Sequence, residues 1–492
     1  MTDSVRTRFA PSPTGFPHVG NIRTALFAWL FARHHGGSFI VRIEDTDVAR
    51  KVEGAVEAIL DGLRWLGIDW DEGPEVGGDY GPYFQSQRLE LYREATEKLV
   101  AQGSAYYCYC STQRLEEMRK EQARHKQPPG YDRRCRDLSP RERAECEASG
   151  ITPVVRFRTP REGNTKFNDR IWGEVSFDNS TIDDFVLLKS DGYPTYHLAN
   201  IVDDHAMAMT HVIRAEEWIS STPRHIMLYA ALGYGSPQFA HLPMILGPDR
   251  AKLSKRHGAV SITEYREQGY LPETMVNFLA LLGWALDDKT ELFSGEQLVA
   301  NFSLERVSRT AAVFNHEKLY WMNGVYLRSL EVEDFTRRAL PFLEEGLPVR
   351  AARPLSVDYV RRMVPLIQER AKTLAEVPEL TEFFFLDKLE YAAGLLIGKK
   401  MDKAMALKAL EVSLERLRPS SRFDEESLEG MLRPLAEELQ MKAGQLFGTL
   451  RTALTGRTVS PPLFQTMVVL GKERSLERIG AALAKLSGGE GA

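Results

Sequence analysis

The sequence predicts a parallel, doubly wound α/β sheet, split by an insertion and followed by an all-α half. Three observations predict it. Short apolar strands and amphipathic helices alternate through the N-terminal region, the rhythm of a parallel sheet. That rhythm breaks between Tyr106 and Asp184 and then resumes. Beyond about Tyr326 only helical periodicity remains.

The elements follow in order. VRTRF, residues 5–9, reads as a short strand, and a helix over 21–34 places Ala25, Leu26, Trp29 and Leu30 on a common side. GGSFIVRIEDTD is a turn and then a buried strand ending in acids. Leu89, Tyr92 and Leu99 mark a further helix. The insertion holds all four cysteines and the β-rich stretches VVRFRTP and IWGEVSFDN. THVIRAEEW, a helix through His225 to Leu232, and HLPMIL supply the second half of the split sheet. In the C-terminal half, Val360, Met363, Val364, Ile367 and Leu374 share one helical face. Leu428, Met431, Leu432, Leu435 and Leu439 share another, and no β-barrel pattern occurs there.

At 492 residues the chain exceeds one ordinary core, so two to four domains are expected. Its 43% hydrophobic and 27% charged residues suit a soluble globular protein. No apolar run is long enough for a bilayer, and MTDSVRTRF lacks the apolar core of a signal peptide; a cytoplasmic protein without membrane contact is expected. Four cysteines are too few for a disulfide framework. A net charge of −5 argues weakly against a nucleic-acid partner, but local patches decide such binding.

Two stretches carry the chemistry. PHVG, residues 17–20, falls where a strand gives way to a helix, the place where free N–H groups and the helix dipole attract phosphate. Alone it also fits a tight turn with a surface histidine. LGPDRAKLSKRHG, residues 246–258, puts Lys252 and Lys255 on a loop after an apolar strand. Lysines so placed can hold polyphosphate charge in a transition state, and alone they also fit a solvated basic loop. No G-x-x-x-x-G-K-[ST] occurs, which excludes a P-loop. Separately, Cys108-x-Cys110 followed after 24 residues by Cys135 is a spacing at which thiolates bind zinc; reduced, metal-free thiols are the alternative.

PHVG and KLSKR resemble the two signature motifs of class I aminoacyl-tRNA synthetases, usually called HIGH and KMSKS. RFAPSPTG, FIVRIEDTD, LGIDWDEGP, YPTYHLANIVDDH, VIRAEEW, FNHEKLYWMN and TGRTVSPPLF are similar to bacterial glutamyl-tRNA synthetases, across essentially the whole chain. The resemblance implies a split Rossmann catalytic domain at 1–105 and 186–325, the second part with a stem-contact region. It implies an inserted acceptor-binding subdomain at 106–185 and an α-helical anticodon-binding domain at 326–492. The implied reaction is glutamate–tRNA ligation through glutamyl-adenylate. The implied substrates are ATP, L-glutamate and tRNA-Glu, with tRNA-Gln left open as a second acceptor, and the implied state is a monomer.

The resemblance also implies roles for residues. His18, Lys252 and Lys255 become the catalytic set. ATP falls to Ser12, His18, Gly20, Glu217, Lys252 and Lys255, with Mg2+ on its phosphates and no fixed protein ligand for the metal. Glutamate, with two carboxylates and an ammonium, wants guanidinium forks and an acid. Arg8, Ser12, Glu44, Tyr196, Asn200 and Arg214 match those positions, Arg214 taking the side-chain carboxylate. The other reading of Arg8 and Arg214 is a buried Arg–acid pair. A structural Zn2+ falls to Cys108, Cys110 and Cys135, with Tyr131 or Asp137 as fourth ligand and Cys146 outside the pattern. Arg370 and Arg451 are candidate anticodon contacts. Two rivals follow: a glutamyl-queuosine tRNA-Asp synthetase, which lacks an anticodon-binding half, and a catalytically silent tRNA-binding paralogue, which should have lost His18, Lys255 or the Arg–acid set.

Overall fold

The computed structural model describes residues 4–258 and 261–488, without the side chains of Val48 and Lys255. The chain divides into two compact units, one running to Tyr265 and including Met275–His316, the other Arg266–Thr274 with everything from Glu317 onward.

In the first unit, β1 (Arg6–Phe9), α1 (Val19–His34) and β2 (Ser38–Val41) make a βαβ step. β1 and β2 pair in parallel, with Arg6 opposite Ser38 and Phe9 opposite Val41. α1 packs on this pair and buries Ile22, Leu26 and Leu30, while its Phe27 ring meets Phe302 edge-on (centroids 5.2 Å apart). Trp29, predicted on the same side, is only half-buried and donates its indole N–H to Asp69 (2.7 Å). α2 (Ala55–Trp65) and α3 (Leu89–Ala101) follow.

The interrupting segment carries β3 (Ala105–Cys108), α4 (Thr112–Arg124), α5 (Pro140–Ala148), β4 (Val154–Phe157), β5 (Asn164–Asp169), β6 (Gly173–Asp178) and β7 (Val186–Leu188). β3, β4 and β7 form an antiparallel sheet, and β5 and β6 form a hairpin. The parallel pattern resumes with α6 (Tyr196–Ala206), β8 (His211–Ala215), α7 (Thr222–Leu232) and β9 (Gln238–Leu242). The Thr210 N–H donates to the Arg6 carbonyl (3.1 Å), which ties the start of β8 to β1. The β5–β6 hairpin does not stay apart: Asp169 pairs with Phe239, giving the order β6-β5-β9-β8. The unit also holds β10 (Ile245–Leu246), α8 (Ile262–Glu267) up to Tyr265, α9 (Pro272–Ala280) from Met275, α10 (Gly295–Asn301) and β11 (Ala312–Val313), the last pairing in parallel with β10. α11 (His316–Ser329) follows.

The second unit is helical: α12 (Val332–Gly346), α13 (Val357–Ile367), α14 (Val377–Phe385), α15 (Lys403–Leu417), α16 (Glu425–Glu438), α17 (Ala443–Thr455), α18 (Leu463–Leu470) and α19 (Lys472–Ser487). They share one apolar core that includes Phe335, Val360, Ile367, Leu410, Leu432 and Ile479. The periodicity puts Leu374 on the same helix as Ile367, but α13 stops at Ile367. The Gln368 amide donates to the carbonyls of Leu327 (2.9 Å) and Leu330 (2.7 Å) as the chain leaves the helix. Thr373 and Glu376 then form a capping box that opens a new turn, and Leu374 is buried from there. Among the described residues no helix is long and apolar enough to cross a membrane.

Gly37 joins α1 to β2, and a Cβ there would fall on the Val5 carbonyl oxygen, which accepts the Ser38 N–H (2.8 Å). Gly37→Ala is expected to destabilise the first unit by about 1–3 kcal/mol, the usual cost of overpacking. Calorimetry should show its transition shifted down, and an unshifted transition would contradict the packing described.

Candidate active site

A cleft of about 1480 Å³ opens at the carboxyl ends of β1, β2 and β8, where a doubly wound sheet places its ligands. Ser12, His18, Gly20, Glu44, Tyr196, Asn200, Arg214, Glu217 and Lys252 all line it, beside Arg8 at its floor. Residues separated by up to 244 positions in the sequence thus converge on one space.

One side of the cleft suits phosphate. His18 caps α1: its Nδ1 accepts the Gly20 N–H (3.1 Å), and its carbonyl accepts Asn21 N–H (2.9 Å). With Nδ1 accepting, the ring proton of the neutral imidazole sits on Nε2, a donor for an anion in the cleft. Partial burial and the neighbouring Lys252 ammonium lower the His18 pKa, while Glu217 opposes them. A side chain at position 20 would put its Cβ 2.9 Å from His18 Cε1, so only glycine lets the ring fold back on the helix end. The loop after β10 closes on this element: His18 bridges Ser261, and Ile262 N–H donates to the Pro17 carbonyl (3.3 Å). On that loop Lys252 Nζ donates to Glu217 Oε2 (2.9 Å), both groups exposed. Lys255 opens a short 3-10 turn, and its side chain lies outside the described residues.

The other side gathers buried arginines, acids and an amide. Arg8 donates from Nε (3.1 Å) and Nη2 (3.2 Å) to Asp204, and all three groups of Arg8, Arg42 and Asp204 are buried. Arg42 also reaches Glu44 Oε1 (3.2 Å), and the Asn200 amide sits between Asp204 Oδ2 (3.2 Å) and Arg8 Nη2 (3.1 Å). Burial raises the Glu44 pKa against the pull of Arg42 and Arg8. Arg8 is therefore a buried Arg–acid pair. Arg214 is not. Its Nε donates to His241 Nε2 (3.0 Å), Nη1 to the Tyr196 hydroxyl (3.2 Å) and His225 Nδ1 (3.2 Å), and Nη2 to the Thr222 hydroxyl (2.8 Å). Among the described residues no carboxylate pairs with Arg214, which is 5% exposed. The Tyr196 ring packs on Trp218 (centroids 4.3 Å apart), a further lining residue.

The family described as "tRNA synthetases class I (E and Q), catalytic domain" matches residues 4–321, and "Anticodon binding domain" matches 334–483. The chain belongs to the class I tRNA synthetases. It is 62% identical over 487 residues to a protein named glutamate–tRNA ligase from Dehalococcoides mccartyi, covering 99% of each chain. A protein of the same name from Moorella thermoacetica is 48% identical over 481 residues, covering 98% of each. A solved glutamate tRNA ligase of Elizabethkingia meningosepticum, in complex with its amino acid, superposes with a TM-score of 0.90 at 34% identity, covering 98% of this chain and 100% of the other.

In this synthetase the cysteine segment forms a second constellation. The Sγ atoms of Cys108, Cys110 and Cys135 all lie within 4.8 Å of one another. The Tyr131 hydroxyl stands 3.3 Å from Cys108 Sγ and 3.5 Å from Cys110 Sγ, and its oxygen accepts the Cys135 N–H (3.0 Å). Asp137 does not join them: it is exposed and holds Arg158 (2.8 Å) and Arg161 (3.3 Å), so of the two predicted fourth ligands only Tyr131 is in place. Cys146, on α5, lies outside the cluster. In the second unit, Arg451 is half-buried, and Arg370 lowers its pKa after the larger effect of burial.

Sequence reasoning did not single out Arg42, Asp203, Asp204, Trp218, Thr222, His225 or His241. The adjacent acids Asp203 and Asp204, directly after the apolar pair Ile201–Val202, were a readable signal, since buried acids need cations. Nothing in HLPMIL distinguishes His241 from a surface histidine.

If the His18 Nε2–H serves a phosphate in the cleft, His18→Asn separates that donation from the capping of α1. Asn is a good helix cap, so stability should change by less than about 0.5 kcal/mol. Adenylate formation should fall roughly 100-fold or more, the scale for losing one donor to developing charge. ATP–pyrophosphate exchange with tRNA present measures it; wild-type exchange would remove His18 from the chemistry.

Proposed function

We propose that the protein is a glutamate–tRNA ligase. The α-carboxylate of glutamate attacks the α-phosphorus of ATP, and pyrophosphate leaves. A hydroxyl of the terminal adenosine of tRNA then attacks the acyl carbon of glutamyl-adenylate, and AMP leaves. Neither step needs a protein nucleophile, so this chain contributes positioning and charge stabilisation.

The observation that carries the reading is Arg214, a buried cation facing the cleft with neutral partners only among the described residues. Such a group favours an anion, and its planar fork matches a carboxylate. The side-chain carboxylate of glutamate is that anion. Glu44 receives the ammonium, while Arg8, Ser12, Tyr196 and Asn200 shape the rest of the amino-acid pocket. His18 Nε2–H, Lys252 and Lys255 stabilise the phosphate as charge grows, Gly20 keeps His18 in place, and Glu217 holds Lys252 until ATP arrives. Mg2+ on the ATP phosphates neutralises part of their charge, and we assign it no protein ligand.

Residues 106–185 take the acceptor end of tRNA, and 326–492 read the anticodon, with Arg370 and Arg451 as candidate contacts. The anticodon-binding region disfavours the glutamyl-queuosine rival. The presence of His18 and the Arg–acid set disfavours a silent paralogue. Cys108, Cys110, Cys135 and Tyr131 would hold a Zn2+ ion, which would cross-link the end of β3 to the stretch 131–135.

Charging purified tRNA-Glu and tRNA-Gln with labelled glutamate tests the assignment. Product on tRNA-Glu is expected. Product on both acceptors would mean a relaxed anticodon site, and product on neither, with folded protein and intact tRNA, would end the ligase reading. For the metal, Tyr131→Phe should lower zinc content measured by elemental analysis, whereas Asp137→Ala should leave it at the wild-type level. Equal losses in the two variants would contradict the ligand assignment.

A further inference from the structure

Arg214 has an unusual set of neighbours for a cation that must be held in one place. Three of its nitrogens are bonded, yet no acid grips it directly among the described residues. Its Nε–H can only donate, so His241 Nε2 must accept. On the far side of the same ring, His241 Nδ1 stands 2.6 Å from Asp169 Oδ2. An ionised carboxylate can only accept, so Nδ1 must carry the proton. The two contacts thus specify one neutral tautomer, assigned from donors and acceptors. His241 is fully buried and Asp169 nearly so. Burial pushes the His241 pKa down to about 4, against the opposing pull of Asp169.

The carboxylate itself is locked. Asp169 Oδ1 accepts the backbone N–H groups of Ile171 (2.9 Å) and Trp172 (3.0 Å), leaving Oδ2 for the imidazole. Asp169 is the last residue of β5, and that strand pairs with β9 at Phe239, two residues before His241. The hairpin of the interrupting segment is what brings the acid to the ring. Thr222 closes the arrangement: its oxygen accepts from Arg214 Nη2 (2.8 Å) and lies 3.0 Å from the Trp218 carbonyl and 3.1 Å from His241 Nε2.

We propose that Asp169 and His241 are a positioning pair for Arg214: Asp169 selects the imidazole tautomer whose Nε2 lone pair orients the guanidinium toward the side-chain carboxylate of the amino acid. The proposal rests on Arg214 being the carboxylate-binding residue. Neither partner touches substrate, and both act through Arg214. The pair therefore governs affinity for glutamate and the preference for an anionic over a neutral side chain, not the binding of ATP.

Asp169→Asn is the decisive change, because the geometry dictates how the amide settles. Its oxygen stays on the Ile171 and Trp172 N–H groups, and its NH2 points at His241 Nδ1. The ring must then accept at Nδ1 and carry its proton on Nε2, where it meets the Arg214 Nε–H. The expected result is a KM for glutamate raised about ten- to hundredfold, the scale of one lost charge-assisted hydrogen bond. KM for ATP should stay within about twofold, and the preference for glutamate over glutamine in kcat/KM should fall. His241→Gln, whose amide oxygen can accept from Arg214 without a tautomer choice, should raise KM for glutamate much less than His241→Leu; this comparison also decides the matter if Asp169→Asn does not fold. An unchanged KM for glutamate in folded Asp169→Asn, or equal rises for glutamate and ATP, would overturn the pair. So would equal effects of His241→Gln and His241→Leu. Arg214→Ala keeps the two ideas apart. If it leaves KM for glutamate unchanged, the carboxylate reading of Arg214 fails; if it raises KM while Asp169→Asn does not, only the positioning pair fails.

Discussion

The cleft stands on a buried ion set. Asp204 accepts from Arg8 on β1 and from Arg42 just after β2 (2.7 Å), while Asp203 beside it accepts from Arg88 (2.6 Å), Gln85 (2.9 Å) and Tyr92 (2.8 Å). Taking charges out of water is costly, and the cost is recovered only when every partner is present in good geometry. One pair of adjacent acids on α6 therefore joins the second half of the split region to β1, to the end of β2 and to α3 in the first half. The same rule explains the site. Because the acids below the cleft are already saturated by Arg8, Arg42 and Arg88, no internal carboxylate among the described residues is left for Arg214. The positive charge that remains faces the open space.

How the cleft holds its parts depends on burial. The side proposed for the amino acid rests on buried groups with several bonds each, so its geometry is set before a ligand arrives. The phosphate side rests on the exposed Lys252–Glu217 pair, and an exposed pair contributes little to stability. A rigid pocket beside a weakly tethered loop suits a site whose phosphates must enter and pyrophosphate must leave.

Much of this was legible in the sequence. Strand and helix periodicity located the sheet halves and the helical unit, because burial of one face imposes a repeat. The residues at PHVG and KLSKR, together with Arg8, Glu44, Tyr196, Asn200 and Arg214, were legible through resemblance, and the fold brings the described ones to one cleft. What escaped was pairing. Arg8 and Arg214 look alike in sequence, but one lies against Asp204 and the other against two histidines, a difference made by contacts between residues far apart in the chain. Tyr131 and Asp137 were alternative fourth ligands through the resemblance. Only the fold turns Tyr131 inward over the thiols and leaves Asp137 to Arg158 and Arg161 outside.

The β5–β6 hairpin has a consequence for how such enzymes can be recombined. Segments inserted into a sheet are commonly treated as removable modules that can be exchanged without touching the host. Here the inserted strand is hydrogen-bonded to β9 and ends on a carboxylate that lies 2.6 Å from a histidine of that strand. A chimaera that imports this segment from a distant relative imports part of the floor beneath the pocket with it. A workable crossover point therefore falls on neither side of the hairpin alone; it has to carry β5 and β9 from the same parent.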